Sequence, residues 1–198
     1  SPGPGPRHLV YMGNIEVGRE QSLQELGRAL DAENRASGTA HTLQIYTGSK
    51  RPEALERLAA CPAIRLHGFV TGAAYKVAFD SADAFVHVES FDENNRERVR
   101  YSVSTKIIEC LASGRPLLAY GPGDVASMAY LQRNDCAALA CSRQELPAAV
   151  EAVLTQEPYR AGLVGRAMRV AEREAGNSRR LHQLLEGVLR DQTCAVCR

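Results

Sequence analysis

Short runs of apolar residues recur along this chain, and longer stretches with apolar residues at helical spacing separate them. Six runs have the length and composition of buried β-strands, at residues 7–13, 41–48, 63–70, 83–90, 116–121 and 136–141. Strands that alternate with helices form a parallel sheet that is covered by helices on both faces. The pattern therefore predicts an α/β fold built on a six-stranded parallel sheet.

The stretches between the strands have the spacing of amphipathic helices. In the first of them, Leu23, Leu26 and Leu30 recur every three or four residues and define one apolar face. Asp124 stands at the start of another such stretch and is the expected N-cap of that helix. The predicted helices cover residues 22–36, 51–61, 71–82, 104–113, 124–134, 142–156, 159–176 and 178–191.

A single domain accounts for these elements, because no change in composition and no internal repeat interrupts residues 7–198. Residues 1–6 are rich in proline and glycine and are interpreted as a linker or a cloning remnant. The Rossmann-like strand order 3-2-1-4-5-6 is the prediction for such a sheet, and ligands bind at the carboxyl ends of its strands, near the switch point between strands one and four. Functional residues are therefore expected at 13–19, 67–70 and 90–109.

The composition argues against several kinds of partner. The formal net charge is +1, which gives no electrostatic reason to expect nucleic acid or an acidic membrane surface. No apolar run approaches the roughly 20 residues of a membrane span, and no secretory signal is visible. The six cysteines are irregularly spaced, so we predict a cytoplasmic protein with reduced thiols. Cys194 and Cys197 form a CxxC pair without further ligands nearby, which is a weak metal or redox signal.

The first strand ends in a turn that contains Gly13 and Gly18 and leads to Arg19. An arginine at this place can bind phosphate oxygens beside exposed backbone N–H groups. The turn is neither a GxGxxG dinucleotide fingerprint nor a Walker phosphate-binding loop. A phosphate clamp and a solvated surface charge are both compatible with Arg19.

The third strand ends in the sequence HGFV, residues 67–70. A backbone turn at Gly68 followed by apolar Phe69 and Val70 can enclose a flat base while backbone groups bind its edge. Ordinary packing explains the same residues equally well. His67 is interpreted as a structural histidine because it has no motif partner.

Segment 91–103, which follows the fourth strand, is dense in charged residues and is predicted to be a polar loop with an arginine cluster at 96–100. It leads into Ser104, Thr105 and Lys106 at the start of the next predicted helix. Hydroxyl groups there can cap the helix, and the helix N-terminus together with the lysine can attract an anion. The segment is therefore either a solvated loop or a contributor to ligand binding.

Glu109 stands among apolar residues on a helix that is expected to pack against the sheet. Burying a carboxylate without partners is costly, so this side chain is expected at the edge of a cleft. Two neighbouring hydroxyl groups of a ligand, such as a ribose diol, would satisfy both carboxylate oxygens. The alternative is an ion pair with Lys106, three residues earlier on the same helix.

The stretch around this glutamate follows the pattern K-x-x-E-x-x-A-x-G-x-P, formed here by Lys106, Glu109, Ala112, Gly114 and Pro116. It resembles the C-terminal, donor-binding half of GT-B glycosyltransferases, in particular the family 4-type retaining enzymes of glycosyl transferases group 1. The segments YMGNI and HGFV are similar to the opening turn and the base-contacting turn of that family. The resemblance extends over nearly all of the chain after the linker.

The resemblance implies a nucleotide-sugar donor, such as a UDP-, GDP- or ADP-sugar, with no further cofactor and no obligatory metal. It implies that Glu109 holds the ribose hydroxyls and that Arg19 and Lys106 neutralise the diphosphate, and these three are the implied catalytic residues. The other implied donor-binding residues are Gly13, Asn14, Gly68, Phe69, Val70, Ser104 and Thr105.

Two departures from the family pattern affect this interpretation. Many members carry a second glutamate shortly before the one at Glu109 that contacts the donor sugar, and this chain has none at the corresponding place. A second basic residue expected near residues 22–24 is also missing, so the donor phosphates are expected to depend on Lys106 and the arginine cluster at 96–100. The sugar contact is expected to come from the acidic residues Asp92, Glu93 or Glu97.

The chain has room for one of the two Rossmann-like domains of a GT-B enzyme. We therefore expect a C-terminal domain that binds the donor in carbohydrate biosynthesis but does not transfer sugar without an acceptor-binding domain. Any peripheral membrane association is expected to come through that missing domain. Two alternatives remain, a non-catalytic Rossmann-like module that binds a partner or a nucleotide, and a related GT-B enzyme such as a nucleotide-sugar epimerase.

Overall fold

In the computed structural model, which describes residues 5–195 and their side chains as far as residue 177, strands and helices alternate as predicted. The strands are β1 (His8–Met12), β2 (Thr42–Tyr46), β3 (Ile64–His67), β4 (Ala84–Val88), β5 (Leu117–Tyr120) and β6 (Ala138–Ala140). The helices are α1 (Arg19–Ser37), α2 (Pro52–Ala59), α3 (Gly72–Asp80), α4 (Glu93–Val99), α5 (Thr105–Leu111), α6 (Ala126–Asn134), α7 (Leu146–Thr155) and α8 (Glu157–Ala195).

The six strands form one parallel sheet in the order β3-β2-β1-β4-β5-β6, which confirms the predicted order. Strand β1 lies at the centre, where Leu9 pairs with Leu43 on one side and with Ala84 on the other. Strands β2 and β3 are added on one side of β1, and β4, β5 and β6 are added on its other side, so the direction of strand addition reverses between β1 and β4. Because loops on either side of such a point diverge, a crevice forms at the carboxyl ends of these two strands.

Alternate residues of the strands fill two separate cores, one on each face of the sheet. In β1, Leu9 and Tyr11 belong to the core under α1, α2 and α7, whereas Val10 belongs to the core under α5, α6 and α8. The helical face predicted for α1 is confirmed, because Leu23, Leu26 and Leu30 are all fully buried. Each such side chain contributes about 1.5–3 kcal/mol of hydrophobic free energy, which fixes α1 on the sheet.

The prediction of a loop at residues 91–103 is wrong in part, because this segment contains helix α4. The carboxylate of Asp92 accepts a hydrogen bond from the backbone N–H of Asn95 at 3.0 Å and caps the helix. Asparagine and arginine at the middle of the segment are compatible with a helix once its N-terminus is capped. The charge density that suggested a loop is the exposed surface of a short helix.

Two further predictions about helix ends are corrected by the structure. The N-cap of α6 is Val125, while the carboxylate of Asp124 turns away and pairs with Arg96. Residues 159–176 and 178–191 belong to one continuous helix, because Gly176 lies inside α8 instead of ending it. A lone glycine lowers helix propensity by about 1 kcal/mol, which a long packed helix tolerates.

The four cysteines whose side chains are described, Cys61, Cys110, Cys136 and Cys141, are free thiols. The CxxC pair at the end of the chain lies outside the residues whose side chains are described. In the described part of the chain, none of the helices is both long and apolar enough to cross a membrane.

Candidate functional site

Two adjoining cavities open at the carboxyl edge of the sheet, at the switch point between β1 and β4. Their volumes are about 230 and 480 Å³. The residues that border both cavities are Met12, Gly13, Asn14, Tyr75 and Lys106. Since the two share this boundary, they form one cleft with two compartments, which we call the inner cavity (230 Å³) and the outer cavity (480 Å³).

Of the ten donor-binding residues that the resemblance implies, the cleft brings together all but Gly68. Gly68 follows β3 but does not line either cavity. The inner cavity is lined by the predicted residues Gly13, Asn14, Arg19, Ser104, Thr105, Lys106 and Glu109. The outer cavity is lined by Gly13, Asn14, Phe69, Val70 and Lys106. Segments far apart in the sequence therefore meet at one place, as expected for the ends of parallel strands.

The turn between β1 and α1 is tightly held against its neighbours. The backbone N–H of Gly13 donates to the carbonyl of Tyr46 at 3.0 Å, which ties the turn to β2. Gly18 has a φ of 73° and lies so close to β4 that a Cβ there would be 2.4 Å from the Ser90 hydroxyl oxygen. Only glycine combines this conformation with this approach. The turn therefore places Arg19, the first residue of α1, at the end of β4.

Arg19 is bound by a carboxylate that the sequence interpretation did not consider. Its Nε and Nη2 atoms lie 3.1 and 2.9 Å from Oε2 of Glu89, whose side chain is 2% exposed. The imidazole Nε2 of His87 lies 3.4 Å from the other carboxylate oxygen. Burial alone would raise the pKa of Glu89, but His87 and the Arg19 guanidinium outweigh it and hold the pKa below its usual range.

This ion pair changes the role expected for Arg19. Part of its positive charge is already compensated, so it offers a fixed N–H group to a ligand more than a free charge. A sequence signal for the partner exists, because Glu89 directly follows strand β4, whose five residues are all buried. A charged residue at the carboxyl end of a buried strand needs a partner, although the sequence does not say which.

Lys106 and Glu109 both line the inner cavity, but they do not pair with each other. Among the residues whose side chains are described, Lys106 has no carboxylate within 4.0 Å. Its ammonium lies 5.0 Å from the centroid of the Tyr75 ring. Glu109 is exposed at the edge of the cleft, as predicted, and not buried in the core. The ion pair considered as the alternative for these two residues is therefore not formed.

The outer cavity offers an exposed aromatic surface. Phe69 lines it and is 77% exposed, which is unusual for a phenylalanine that packing alone would explain. His67 stacks on Tyr46 with a centroid distance of 4.4 Å, and its Nε2 lies 2.6 Å from the side-chain oxygen of Gln44. These contacts agree with the interpretation of His67 as a structural residue.

The charged segment 91–103 does not contribute side chains to the cleft. Neither its acidic residues nor its arginines line either cavity. Arg96 pairs with Asp124, and Arg100 lies 3.6 Å from Glu97. The expectation that this segment would replace the missing sugar and phosphate contacts finds no support in these contacts.

The segment nevertheless positions the start of α5. The hydroxyl of Ser127, which is fully buried, donates to the carbonyl of Ser102 at 3.1 Å and accepts the N–H of Ser104 at 3.2 Å. Ser104 is the N-cap of α5, but its side chain makes no capping hydrogen bond. The place of Lys106 in the cleft therefore depends on a contact with α6 more than on capping by the serine.

These features define a class of protein. The parallel sheet, its strand order and a cleft at the β1–β4 switch point are those of a Rossmann-like domain of the GT-B type. The model of the family Glycosyl transferases group 1 matches residues 6–156, and the chain belongs to that family.

Solved structures with the same fold include two longer proteins and one isolated domain. WaaG, a glycosyltransferase involved in lipopolysaccharide biosynthesis, has a TM-score of 0.59 and 16% identity over 84% of this chain and 43% of its own. The α,α-trehalose 6-phosphate synthase from Burkholderia multivorans has a TM-score of 0.62 and 12% identity over 93% and 44%. This chain thus spans less than half of either.

The C-terminal domain of LpcC, a glycosyl transferase group 1 family protein from Francisella tularensis, has a TM-score of 0.61 and 12% identity. There the match covers 87% of this chain and 88% of the other, so the two domains have similar extents. At these identities the likeness concerns the fold. A comparison with curated protein sequences finds no match.

Proposed function

We propose that this chain is the donor-binding domain of a glycosyltransferase that moves a sugar from a nucleoside diphosphate to an acceptor hydroxyl. The observation that supports this most directly is the convergence of basic, acidic and aromatic groups on one cleft at the switch point. Lys106 borders both cavities, Glu109 lies in the inner one and Phe69 in the outer one. Each group suits a different part of a nucleotide.

The cleft can be divided among the parts of the ligand. The exposed ring of Phe69, with Val70 beside it, would stack against the base in the outer cavity. The exposed carboxylate of Glu109 would accept hydrogen bonds from both ribose hydroxyls. The diphosphate would lie at the boundary of the two cavities, near the Gly13–Asn14 backbone and the ammonium of Lys106.

Chemistry in the complete enzyme would depend on stabilising the charge of the leaving diphosphate. Lys106 would supply a free positive charge, and Arg19 would supply an N–H group whose direction is set by Glu89. The acceptor hydroxyl would be presented by the second domain that GT-B enzymes have. The chain by itself is expected to bind a donor nucleotide without transferring sugar. We propose a retaining reaction on the basis of the sequence resemblance.

Calorimetric titration of the chain with UDP, GDP and ADP tests this proposal. At least one nucleotide should bind, and Glu109→Gln should weaken it about tenfold, which corresponds to about 1.4 kcal/mol and is reasonable for a hydrogen bond to a charged group. Lys106→Gln should weaken the binding of the nucleoside diphosphate more than the binding of the corresponding monophosphate. Glu97→Gln and Lys76→Gln are matched controls, because both residues are exposed and lie outside the two cavities.

If none of the three nucleotides produces heat or raises the melting temperature, the donor-binding proposal is wrong. The non-catalytic module considered from the sequence would then be favoured. Binding that is equally weakened by the cleft variants and by the matched controls would also contradict the proposed site.

A further inference from the structure

Tyr75 lines the inner cavity together with the two opposite charges of the cleft, Lys106 and Glu109. It belongs to the first turn of α3 and lines both cavities. Packing usually explains a tyrosine on an amphipathic helix, so the sequence pattern does not mark it as functional. Its contact with Lys106 and its place beside Glu109 in the inner cavity suggest a more specific role.

Lys106 and Glu109 have the spacing at which a lysine and a glutamate on one helix usually attract each other. The structure shows another arrangement, in which the ammonium of Lys106 lies 5.0 Å from the centroid of the Tyr75 ring. An ammonium at this distance is attracted by the negative face of the ring, with about 0.5–1 kcal/mol at an exposed site. The ring therefore competes with the carboxylate for the lysine.

Glu109 lines the same cavity as Tyr75. Burial and the nearby Glu109 carboxylate raise the pKa of Tyr75 above its ordinary value, so the phenol stays protonated and can donate a hydrogen bond. Tyr75 thus offers its ring to the cation and its hydroxyl to the anion. The Lys106 ammonium and the Glu109 carboxylate are therefore attracted to different parts of the Tyr75 side chain.

The ring of Tyr75 is anchored to the core by an aromatic series. It stacks on Phe79, one turn later in α3, with a centroid distance of 5.9 Å. Phe79 contacts Phe85 of β4 at 4.4 Å, and Phe85 is 1% exposed. Because this series ends in the core, Tyr75 is held at the boundary between the cavities and does not depend on a ligand for its position.

We propose that Tyr75 is a positioning residue that prevents Lys106 and Glu109 from neutralising each other, so that the ammonium remains directed at a diphosphate and the carboxylate at a ribose diol. The ligand assignment rests on the proposed donor-binding function. The separation of the two charges does not, because it is a property of the protein without ligand. The two parts can therefore be tested separately.

The first test needs no nucleotide and uses NMR of protein with ¹³C-labelled lysine. The signal of Lys106, assigned by its loss in Lys106→Gln, should show an upfield ring-current shift in the wild type and in Tyr75→Phe. The shift should disappear in Tyr75→Leu. An unchanged Lys106 signal in Tyr75→Leu, with the fold confirmed by the remaining spectrum, would overturn the proposal whatever the protein binds.

The second test uses the nucleoside diphosphate that binds, its monophosphate and its 2′-deoxy analogue. Tyr75→Phe retains the ring, so the preference for diphosphate over monophosphate should stay within twofold, while the preference for ribose over deoxyribose should fall at least threefold. Tyr75→Leu should reduce both preferences. If Tyr75 only supports the fold, its substitution should weaken the binding of all three ligands by the same factor. That result would contradict the proposal.

Tyr101→Leu is the matched control for both tests. Tyr101 is 87% exposed, lies outside both cavities and has the Arg100 guanidinium 5.6 Å from its ring centroid. Its loss removes a comparable cation–π contact without touching the cleft. If the wild type binds no nucleotide, the donor-binding proposal is wrong, and the NMR test alone decides whether the Tyr75 ring holds the Lys106 side chain.

Discussion

Two nitrogen atoms of Arg19 lie within 3.1 Å of the same carboxylate oxygen of Glu89. The two residues differ in their access to water, because the Glu89 side chain is 2% exposed and that of Arg19 is 19% exposed. If Arg19 is removed, no water can replace it as the partner of the buried Glu89 carboxylate. If Glu89 is removed, water can solvate Arg19 at the edge of the cleft, so the two residues of this ion pair are not equivalent.

The first prediction follows from this asymmetry. Arg19→Met should lower the free energy of unfolding by about 3 kcal/mol, because it leaves the Glu89 carboxylate buried with His87 as its remaining neighbour. Glu89→Gln should cost only about 1 kcal/mol, since Arg19 can turn to solvent. Urea denaturation measures both values. Arg35→Met is the control, because its ion pair with Asp31 is exposed and should contribute less than about 1 kcal/mol. Equal costs for the two cleft variants would contradict the asymmetry.

The same ion pair predicts a pH dependence of stability. The pKa of Glu89 is lowered in the folded protein, so this residue stabilises the fold above its unfolded pKa of about 4.3 and loses that contribution as the pH falls through the folded pKa. The difference in unfolding free energy between wild type and Glu89→Gln should therefore be constant near neutral pH and shrink below about pH 4. Denaturation series at several pH values measure this difference. A difference that grows in acid would show that the pKa is shifted in the opposite direction.

A third prediction concerns the support of the cleft by α6. Ser127→Ala removes the hydroxyl that joins the carbonyl of Ser102 to the N–H of Ser104, and should cost about 1–2 kcal/mol. Amide hydrogen exchange should become faster at residues 102–106, and nucleotide affinity should fall with it. Thr155→Ala is the control, because that exposed hydroxyl bonds within α7, away from the cleft. Unchanged exchange at residues 102–106 would exclude Ser127 as a support.

A fourth prediction uses two glycines within helices. A Cβ at Gly27 of α1 would lie 2.6 and 2.8 Å from two atoms of Ile64, whereas one at Gly165 of α8 would meet nothing closer than 3.8 Å. Gly27→Ala should destabilise the protein by about 1 kcal/mol or more, because overpacking exceeds the gain in helix propensity. Gly165→Ala should stabilise it by about 0.5–1 kcal/mol. Thermal unfolding of both variants measures the contrast, and a gain in both would mean that Ile64 moves aside at little cost.

Much of the architecture could be predicted from the sequence because it depends on local patterns. Runs of apolar residues reveal strands, helical spacing reveals the faces of helices such as α1, and their alternation indicates a parallel sheet. The general rule for such sheets then places the ligand at the β1–β4 switch point. Phe69, Lys106 and Glu109 could be assigned to one cleft on this basis, and the structure places all three there.

The errors at the segment 91–103 and at Asp124 have different causes. In the structure Asp92 caps α4 by accepting a hydrogen bond from the backbone N–H of Asn95, a local contact that the charge density of the segment obscured. Asp124 pairs instead with Arg96, 28 residues away. The fold brings this second partner near, and the local sequence does not contain that information.

The sequence by itself determined the six strands, most of the helices and the edge of the sheet at which the ligand cleft lies. Only the tertiary structure decided how the charges in that cleft are paired, with Glu89 opposing Arg19 from 70 residues away and the Tyr75 ring lying against Lys106. Strands and helices depend on residues a few positions apart, whereas pairing depends on atoms a few ångströms apart. Packing on the sheet brings those atoms together and so determines which charges remain free for a ligand.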